Sequence, residues 1–150
     1  VSQSGVMVNN HSHHASGTLT ASFQKLSWLR LSAAFTAGYY WERSSIMRQD
    51  VLSSYTTNAA LYLFPAKKME LKMKFYNLTN EIMDGHYHTC GLLDGDFNYK
   101  INNVWELGLS GTNLLNSKSY TITQNTGINI LNTSLPLRGR EVILRLQLRL

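Results

Sequence analysis

Glu141-Val142-Ile143-Leu144-Arg145-Leu146-Gln147-Leu148-Arg149-Leu150 decides the fold. Val142, Leu144, Leu146, Leu148 and Leu150 share one parity; Glu141, Ile143, Arg145, Gln147 and Arg149 share the other. A helix would scatter these leucines and arginines around its circumference, whereas an extended chain turns alternate residues to opposite sides. Period two therefore predicts a strand with one apolar and one mostly charged face, and a one-residue slip would exchange the faces.

Six earlier stretches carry the same signature. Thr18 to Gln24 sets Leu19, Ala21 and Phe23 against hydroxyl and amide residues, and Arg30 to Glu42 sets Leu31, Ala33, Phe35, Ala37, Tyr39 and Trp41 apart. Tyr55 to Phe64 ends at Pro65, which cannot donate to a ladder. Lys68 to Phe75 alternates Lys or Glu with Met69, Leu71, Met73 and Phe75, and Leu92 to Ile101 alternates Asp94, Asp96, Asn98 and Lys100 with Leu93, Gly95, Phe97 and Tyr99. Trp105 to about Gly111 is the sixth strand and Glu141 to Leu150 the seventh.

The connections alternate in length. Lys25 to Leu29, Pro65 to Lys67 and Asn102 to Val104 are short, and Asn102-Asn103 suits the positive φ of a tight turn. Arg43 to Ser54, Tyr76 to Gly91 and Thr112 to Arg140 read as long loops, so all long loops lie at one end of the sheet.

Composition narrows the class. With 43% hydrophobic and 15% charged residues among 150, the chain is that of an ordered protein. Charged or amide residues interrupt every apolar run before the roughly 18 residues a membrane helix needs, so any membrane crossing is made by strands. The net charge of +5 is interleaved with acids, as where Glu70 sits among Lys68, Lys72 and Lys74, which argues against nucleic acid as a partner. Cys90 is the single cysteine and reads as a small apolar filler.

A soluble antiparallel sheet on a core would alternate in the same way. Aromatic placement separates the two cases: Trp28, Phe64, Tyr99 and Trp105 fall near the short turns, and Tyr39, Trp41, Tyr55 and Phe75 near the long loops, which is the pattern of two interfacial girdles. The expected fold is all-β, an antiparallel meander of about seven transmembrane strands forming the C-terminal part of a larger outer-membrane β-barrel. Residues 1–150 are then one segment of one barrel domain, with Val1 to Ser16 the end of an earlier strand and its loop. Seven is an odd count where single-chain bacterial barrels have even ones, so further strands are expected before Val1. Lumen-facing positions are Lys68, Glu70, Lys72, Lys74, Asp94, Asp96, Lys100, Glu106, Glu141, Arg145, Gln147 and Arg149. Lipid-facing positions are Leu31, Phe35, Leu71, Phe97, Leu107, Leu109, Val142, Leu144, Leu146 and Leu148.

Two stretches carry a family resemblance. Trp105-Glu-Leu-Gly-Leu-Ser-Gly-Thr-Asn-Leu-Leu-Asn-Ser-Lys-Ser-Tyr120 resembles the penultimate-strand region of TonB-dependent receptors, with Asn113-Leu114-Leu115-Asn116 as its characteristic run ahead of an aromatic residue. Leu137-Arg138-Gly139-Arg140-Glu141-Val142-Ile143-Leu144 and the alternating end resemble the closing strand of the same receptors, above all the outer-membrane barrels abundant in Bacteroidetes. The likeness covers roughly Val104 to Leu150, and it departs from the family at the last residue, where such barrels usually carry an aromatic and this chain has Leu150. It implies residence in the cell outer membrane and uptake of a nutrient such as an iron complex, glycan or peptide. It also implies four partners: outer-membrane lipid, a plug domain, the TonB energy-transducing protein and the barrel assembly machinery. The rival readings are a soluble barrel with an apolar interior for a small ligand, and a smaller plug-less channel.

Little here points to chemistry. His11, His13 and His14 precede the first strand and His86 and His88 lie between the fourth and fifth, so two imidazole clusters could meet on the long-loop side, though no carboxylates stand at ligand spacing. Asp94 and Asp96 share a face, with Lys and Arg their expected partners rather than a reaction. Asp84-Gly85 and Asp94-Gly95 lack the further oxygen ligands of a calcium loop, and no phosphate loop or nucleophile elbow occurs. The expectation is a transport barrel, not an enzyme, with no cofactor and no metal.

Overall fold

The computed structural model describes residues 2–3, 6–7, 10–44, 50–83, 85–125 and 130–148. They form eleven strands: β1 (Ser2–Gln3), β2 (Val6–Met7), β3 (Asn10–Leu26), β4 (Leu29–Ser44), β5 (Asp50–Ala66), β6 (Met69–Met83), β7 (His86–Lys100), β8 (Trp105–Thr112), β9 (Ser119–Asn125), β10 (Ile130–Pro136) and β11 (Glu141–Leu148). Seven make one sheet in the order β11-β8-β7-β6-β5-β4-β3, every pair antiparallel. β9 pairs with β10, and β1 with β2, in separate two-stranded ladders. The all-β antiparallel meander read from periodicity is therefore the observed architecture, with one hairpin inserted between β8 and β11.

The pairing register keeps every strand in phase. Leu19 stands opposite Phe35, Leu31 opposite Leu61, Leu61 opposite Met73, Leu71 opposite Phe97, Phe97 opposite Leu109, and Leu109 opposite Leu144. Directly opposed residues project from the same side of a sheet, so the apolar faces of all seven strands merge into one surface. All ten positions read as lipid-facing lie on it, including Leu107 opposite Leu146, Leu148 opposite Trp105, and Val142 opposite Gly111.

The short hairpins are staggered. The Phe64 N–H donates to the carbonyl of Trp28 in the β3–β4 turn at 2.8 Å, yet β5 runs on to Ala66 before its own turn at Lys67–Lys68. The Lys100 N–H likewise donates to the Lys68 carbonyl at 2.9 Å before the chain turns through Asn102 to Val104. Each hairpin thus projects past its neighbour by about one residue per strand. At ~3.3 Å per residue and ~4.8 Å between strands, that inclines the strands by roughly 35° to the normal of the line of turns.

Several boundaries differ from the sequence expectation. β3 starts at Asn10 rather than Thr18, because the His-rich segment continues the ladder with β4, His11 opposite Arg43 and His13 opposite Trp41. Asp50 to Ser54 and Tyr76 to Met83 are strand rather than loop, and β7 begins at His86. Above the apolar band polar and apolar residues are mixed on both faces of these strands, so alternation disappears while backbone pairing continues. Gly85, at φ 74°, makes the β6–β7 turn compact. Pro65 and Ala66 belong to β5, and the turn is Lys67–Lys68. The Asn102-Asn103 turn does not use positive φ. The Asn102 Oδ1 accepts from the N–H groups of Val104 and Trp105, both at 2.8 Å, and the side chain closes the turn. Glycine-like backbone appears instead at Asn113 (φ 49°) and Asn116 (φ 57°), which flank Leu114 and Leu115.

Those leucines cover a dent in the apolar surface. Gly95 and Gly111 stand opposite one another, and a Cβ on Gly111 would lie 2.7 Å from Leu114 Cδ2, while one on Gly91 would lie 3.4 Å from Leu115 Cδ1. The absence of side chains on β7 and β8 thus lets the Asn-Leu-Leu-Asn turn fold down onto the sheet. Gly111→Val should displace Leu114 and lower stability by about 1–3 kcal/mol, the usual cost of overpacking. Urea unfolding followed by tryptophan fluorescence reads this, and an unchanged midpoint would mean that Leu114 gives way freely.

Candidate functional site: the concave polar face

The charges assigned to the polar side share one face. Glu70, Lys72 and Lys74 of β6 stand opposite Asn98, Asp96 and Asp94 of β7. Lys100 stands opposite Glu106, and Glu106, Gly108 and Thr112 stand opposite Gln147, Arg145 and Glu141 of β11. Lys68 is in the β5–β6 turn rather than a strand, with its Nζ donating to the Ile101 carbonyl at 3.4 Å. Arg149, Leu150 and Asp84 lie outside the described residues.

Local contacts hold these side chains. Lys72 Nζ is 3.3 Å from Glu70 on its own strand, with both side chains about one-third exposed; such a pair contributes ~0–1 kcal/mol. Arg145 Nη2 donates to Asn98 Oδ1 at 3.3 Å across Gly108, where a Cβ would approach the guanidinium within 3.1 Å. The expected Lys or Arg partner of Asp94 is replaced by backbone: Asp94 Oδ1 accepts the Asn113 N–H at 2.8 Å. Phe64, read as a girdle residue, lies on this polar face under Arg30, whose guanidinium carbon sits 5.4 Å from the ring centre. Phase decides this, since Phe64 has the parity of Tyr62, which stands opposite Arg30 and Lys72.

The polar face is the hollow one. A depression of about 440 Å³ spans five consecutive strands, β3 to β7; Thr20, Ser32, Asn58, Lys74, Tyr76 and Asp94 line it together with Ala33, Ala34, Ala59, Ala60, Phe75 and Leu92, so its surface is mostly apolar with a few polar groups. A second, of about 320 Å³, opens near the short turns beside Lys68, Glu70, Lys100 and Glu106. Along β4, Leu31, Phe35 and Tyr39 are 44%, 45% and 44% exposed on the apolar side, whereas Ser32, Ala34 and Thr36 between them are half-buried. The sheet therefore bends around its polar side and is convex on its apolar side.

The β9–β10 hairpin, which the sequence reading placed inside a loop, leans into this hollow. Asn80 Nδ2 donates to the Thr121 carbonyl at 3.1 Å, and Tyr120 lies beside Tyr76. Ser117 Oγ donates to the Gly91 carbonyl. Beyond Gly95, β7 has no β8 partner, yet Cys90 on the hollow side is only 2% exposed, and Leu52 and Leu78 are buried on the same side. The filler role of Cys90 and a small apolar cluster thus sit beneath polar positions near the long-loop end. The signal in the sequence was the short alternation Tyr120-Thr-Ile122 and its β-branched neighbours, too brief to outweigh the surrounding Asn and Ser.

The hairpin is fastened at its base by Asn113. The Asn113 Nδ2 donates to the carbonyls of Ser117 (2.9 Å) and Arg138 (2.7 Å), and its Oδ1 accepts the Ser117 N–H at 2.9 Å. The Leu137 N–H then closes on the Lys118 carbonyl at 2.9 Å. Asn is suited on two counts, because it tolerates the left-handed backbone and carries both a donor and an acceptor.

The aromatic residues of the convex face also cluster. Tyr55 stacks with Phe35 (6.2 Å) and meets Tyr39 and Tyr87 edge-on or tilted at 6.4 and 6.5 Å. Phe75, expected beside the long loops, is instead in mid-strand opposite Leu93, because β6 continues to Met83. Just above this cluster Glu81 is 7% exposed, accepting from Ser53 N–H (2.9 Å), Ser53 Oγ (2.7 Å) and Gly85 N–H (2.9 Å). It ties the β6–β7 turn to β5, a role hidden when Tyr76 to Gly91 reads as a loop.

The two imidazole groups do not meet. His11, His13 and His14 are on β3 and His86 and His88 on β7, with β4, β5 and β6 between them. His13 stacks on Trp41 with ring centres 5.5 Å apart. Among the described residues no three His, Cys, Asp or Glu side chains come together as a metal site.

Asn113→Ala should cost about 2–4 kcal/mol by removing three hydrogen bonds and adding left-handed strain, and Asn113→Gly about 1–2 kcal/mol less than that. Equal losses for the two variants in urea unfolding would show that strain at this position is negligible.

No protein-family model matches this chain, and no curated protein or solved structure matches it.

Proposed function

We propose that this chain is part of the wall of an outer-membrane β-barrel of the TonB-dependent receptor type, carrying a polar nutrient through its lumen. The observation that carries the reading is the sign of the curvature. The concave side holds Lys74, Asp94, Asn58 and Tyr76 and the convex side holds Leu31, Phe35, Leu71 and Leu144. A soluble barrel around an apolar ligand requires the opposite arrangement.

Three further features support it. The roughly 35° inclination is that of strands in outer-membrane barrels, which tilt by about 35–45°. Tyr39, Tyr55 and Tyr87 mark the upper border of the convex apolar surface, and Tyr99 and Trp105, 37% and 40% exposed, mark the lower one. On β4 the apolar parity runs from Leu29 to Tyr39, close to the ~9–11 residues of a tilted spanning strand. The hydrogen-bonding edges of β3 and β11 face outward from the seven-stranded sheet, and in hydrocarbon those edges must be paired by further strands closing the barrel. The resemblance of Val104 to Leu150 to TonB-dependent receptors supplies the transport class, with substrate an iron complex, glycan or peptide. Plug, TonB protein, assembly machinery and lipid are the partners of this reading.

Thiols tell the faces apart. In outer membranes containing the protein, cysteines at Leu144 and Leu146, 70% and 60% exposed here, should react only with a lipid-soluble reagent, and those at Arg145 and Gln147 only with a water-soluble one. The reverse pattern would sink the barrel reading. Leu144→Arg should lower stability in bilayers by about 2–4 kcal/mol if the position lies near the midplane. In a soluble protein this exposed substitution would change stability by less than about 0.5 kcal/mol.

A further inference from the structure

We infer that the short-turn edge of the sheet is a docking surface for anionic phospholipid, with Lys25, Lys67 and Lys68 in the headgroup layer and Trp28, Ile101 and Trp105 beside them. The inference rests on the barrel reading and deepens it, naming the class of lipid held at one end of the wall.

Three observations carry it. First, the cations stand at the turns and form one edge. Lys25 is the penultimate residue of β3, Lys67 and Lys68 make the β5–β6 turn, and all three are exposed. The bonds from the Phe64 N–H to the Trp28 carbonyl and from the Lys100 N–H to the Lys68 carbonyl join successive turns, and Lys68 Nζ reaches on to the Ile101 carbonyl. Second, the acids of this end belong to the polar face. Glu70 and Glu106 have the parity of Lys72 and Lys100, and Glu70 is engaged by Lys72. No acidic residue stands in the three short turns, and among the described residues Lys25 and Lys67 form no ion pair. Third, the same edge is apolar and aromatic. Trp28, Ile101, Val104 and Trp105 are all exposed large side chains, and Ile101 and Trp105 have the parity of Tyr99 on the convex surface. Cations at the tips with indoles and aliphatic groups just behind them match a partner that is apolar within and negative at its border. Lysine stems lie along apolar surface while their ammonium groups stay in water, and tryptophan favours that same depth. Each lysine close to an anionic membrane surface strengthens the attraction about fivefold. A zwitterionic lipid would answer the indoles and not the lysines; an acidic protein would answer the lysines and not Trp28 or Ile101.

The test reads which lipid lies against this edge of the full-length protein. The protein is reconstituted in vesicles of equal parts phosphatidylglycerol and phosphatidylcholine, with quenching bromines on the chains of one lipid or of the other. A thiol-linked fluorophore is placed at Val104→Cys, on the edge, or at Val51→Cys, opposite Trp41 at the long-loop end, in a Cys90→Ser background. The signal of the protein without the added cysteine is subtracted. At position 104 brominated phosphatidylglycerol should quench at least about twofold more than brominated phosphatidylcholine, and high salt should narrow the difference. The triple variant Lys25→Gln, Lys67→Gln, Lys68→Gln should abolish the difference at 104 and leave the signals at 51 unchanged, whereas replacing the same lysines by arginine should preserve it. If the triple variant does not fold, Lys25→Gln and Lys67→Gln singly should each remove part of it. Equal quenching by the two lipids at 104 would overturn the lipid preference and leave the barrel standing. An excess that survives the triple variant, or one that the variant lowers equally at 104 and 51, would overturn the assignment to these lysines. Quenching by neither lipid at either position would mean that the convex face does not meet hydrocarbon, and would overturn the barrel reading and the docking surface with it.

Discussion

Cross-strand register is the constraint on which this sheet stands. Each strand is amphipathic on its own, but an amphipathic sheet exists only if Leu31, Leu61, Met73, Gly95 and Val142 fall on one side while Ser32, Lys72, Asp96 and Arg145 fall on the other. A slip of one residue at any of six interfaces would push charged residues through the apolar surface. The register is held from the turns: Lys67–Lys68 and the side-chain-closed Asn102 turn fix where each pair begins. The same turns set the stagger from hairpin to hairpin, so one set of local contacts determines both the phase of the faces and the inclination of the strands.

Curvature follows from residue size on the two sides. The polar side of β4 and β5 carries Ser32, Ala34, Thr36 and Ala60 where the other side carries Leu31, Phe35, Leu61 and Tyr55. Smaller side chains on one surface let the strands bend toward it, and the depression forms across β3 to β7 where those small residues lie. Bending brings the lysines and aspartates of the concave side nearer to one another, so their fields interact more strongly than on a flat surface.

How much of this was legible in the sequence depended on whether the two faces differ chemically. Within the apolar band they do, and all seven sheet strands and their antiparallel order followed from alternation. Above the band Tyr76 to Met83 and His86 to Gly91 mix polar and apolar residues on both sides, with Leu78 and Cys90 buried on the hollow side, so the strands left no periodic trace although the backbone ladder continues, Thr79 opposite Thr89 and Asn80 opposite His88. Glu81 was hidden for that reason. The β9–β10 hairpin was hidden for another: Ile122 and Tyr120 face a small patch of wall rather than a broad surface, so little apolar sequence is needed to dock them.

The Asn-Leu-Leu-Asn run is where these threads join. Its leucines pack on the apolar surface over Gly91, Gly95 and Gly111, its first asparagine clamps the base of a hairpin on the opposite side, and the Asn113 N–H is bonded to Asp94 on the polar wall. Asn116 Oδ1 in turn accepts the N–H of Arg140, which leads into β11. Four residues thus end one strand, fill a gap on the convex face, aim a hairpin into the concave face and set the starting point of the last strand. Such a turn cannot be exchanged for a generic loop of equal length, because left-handed backbone at positions 113 and 116 must coincide with a side chain that both donates and accepts at 113 and one that accepts at 116. Asparagine meets both demands, glycine only the first and aspartate only part of the second. The motif that gave the strongest sequence resemblance is therefore also a place where chemistry leaves little freedom to change.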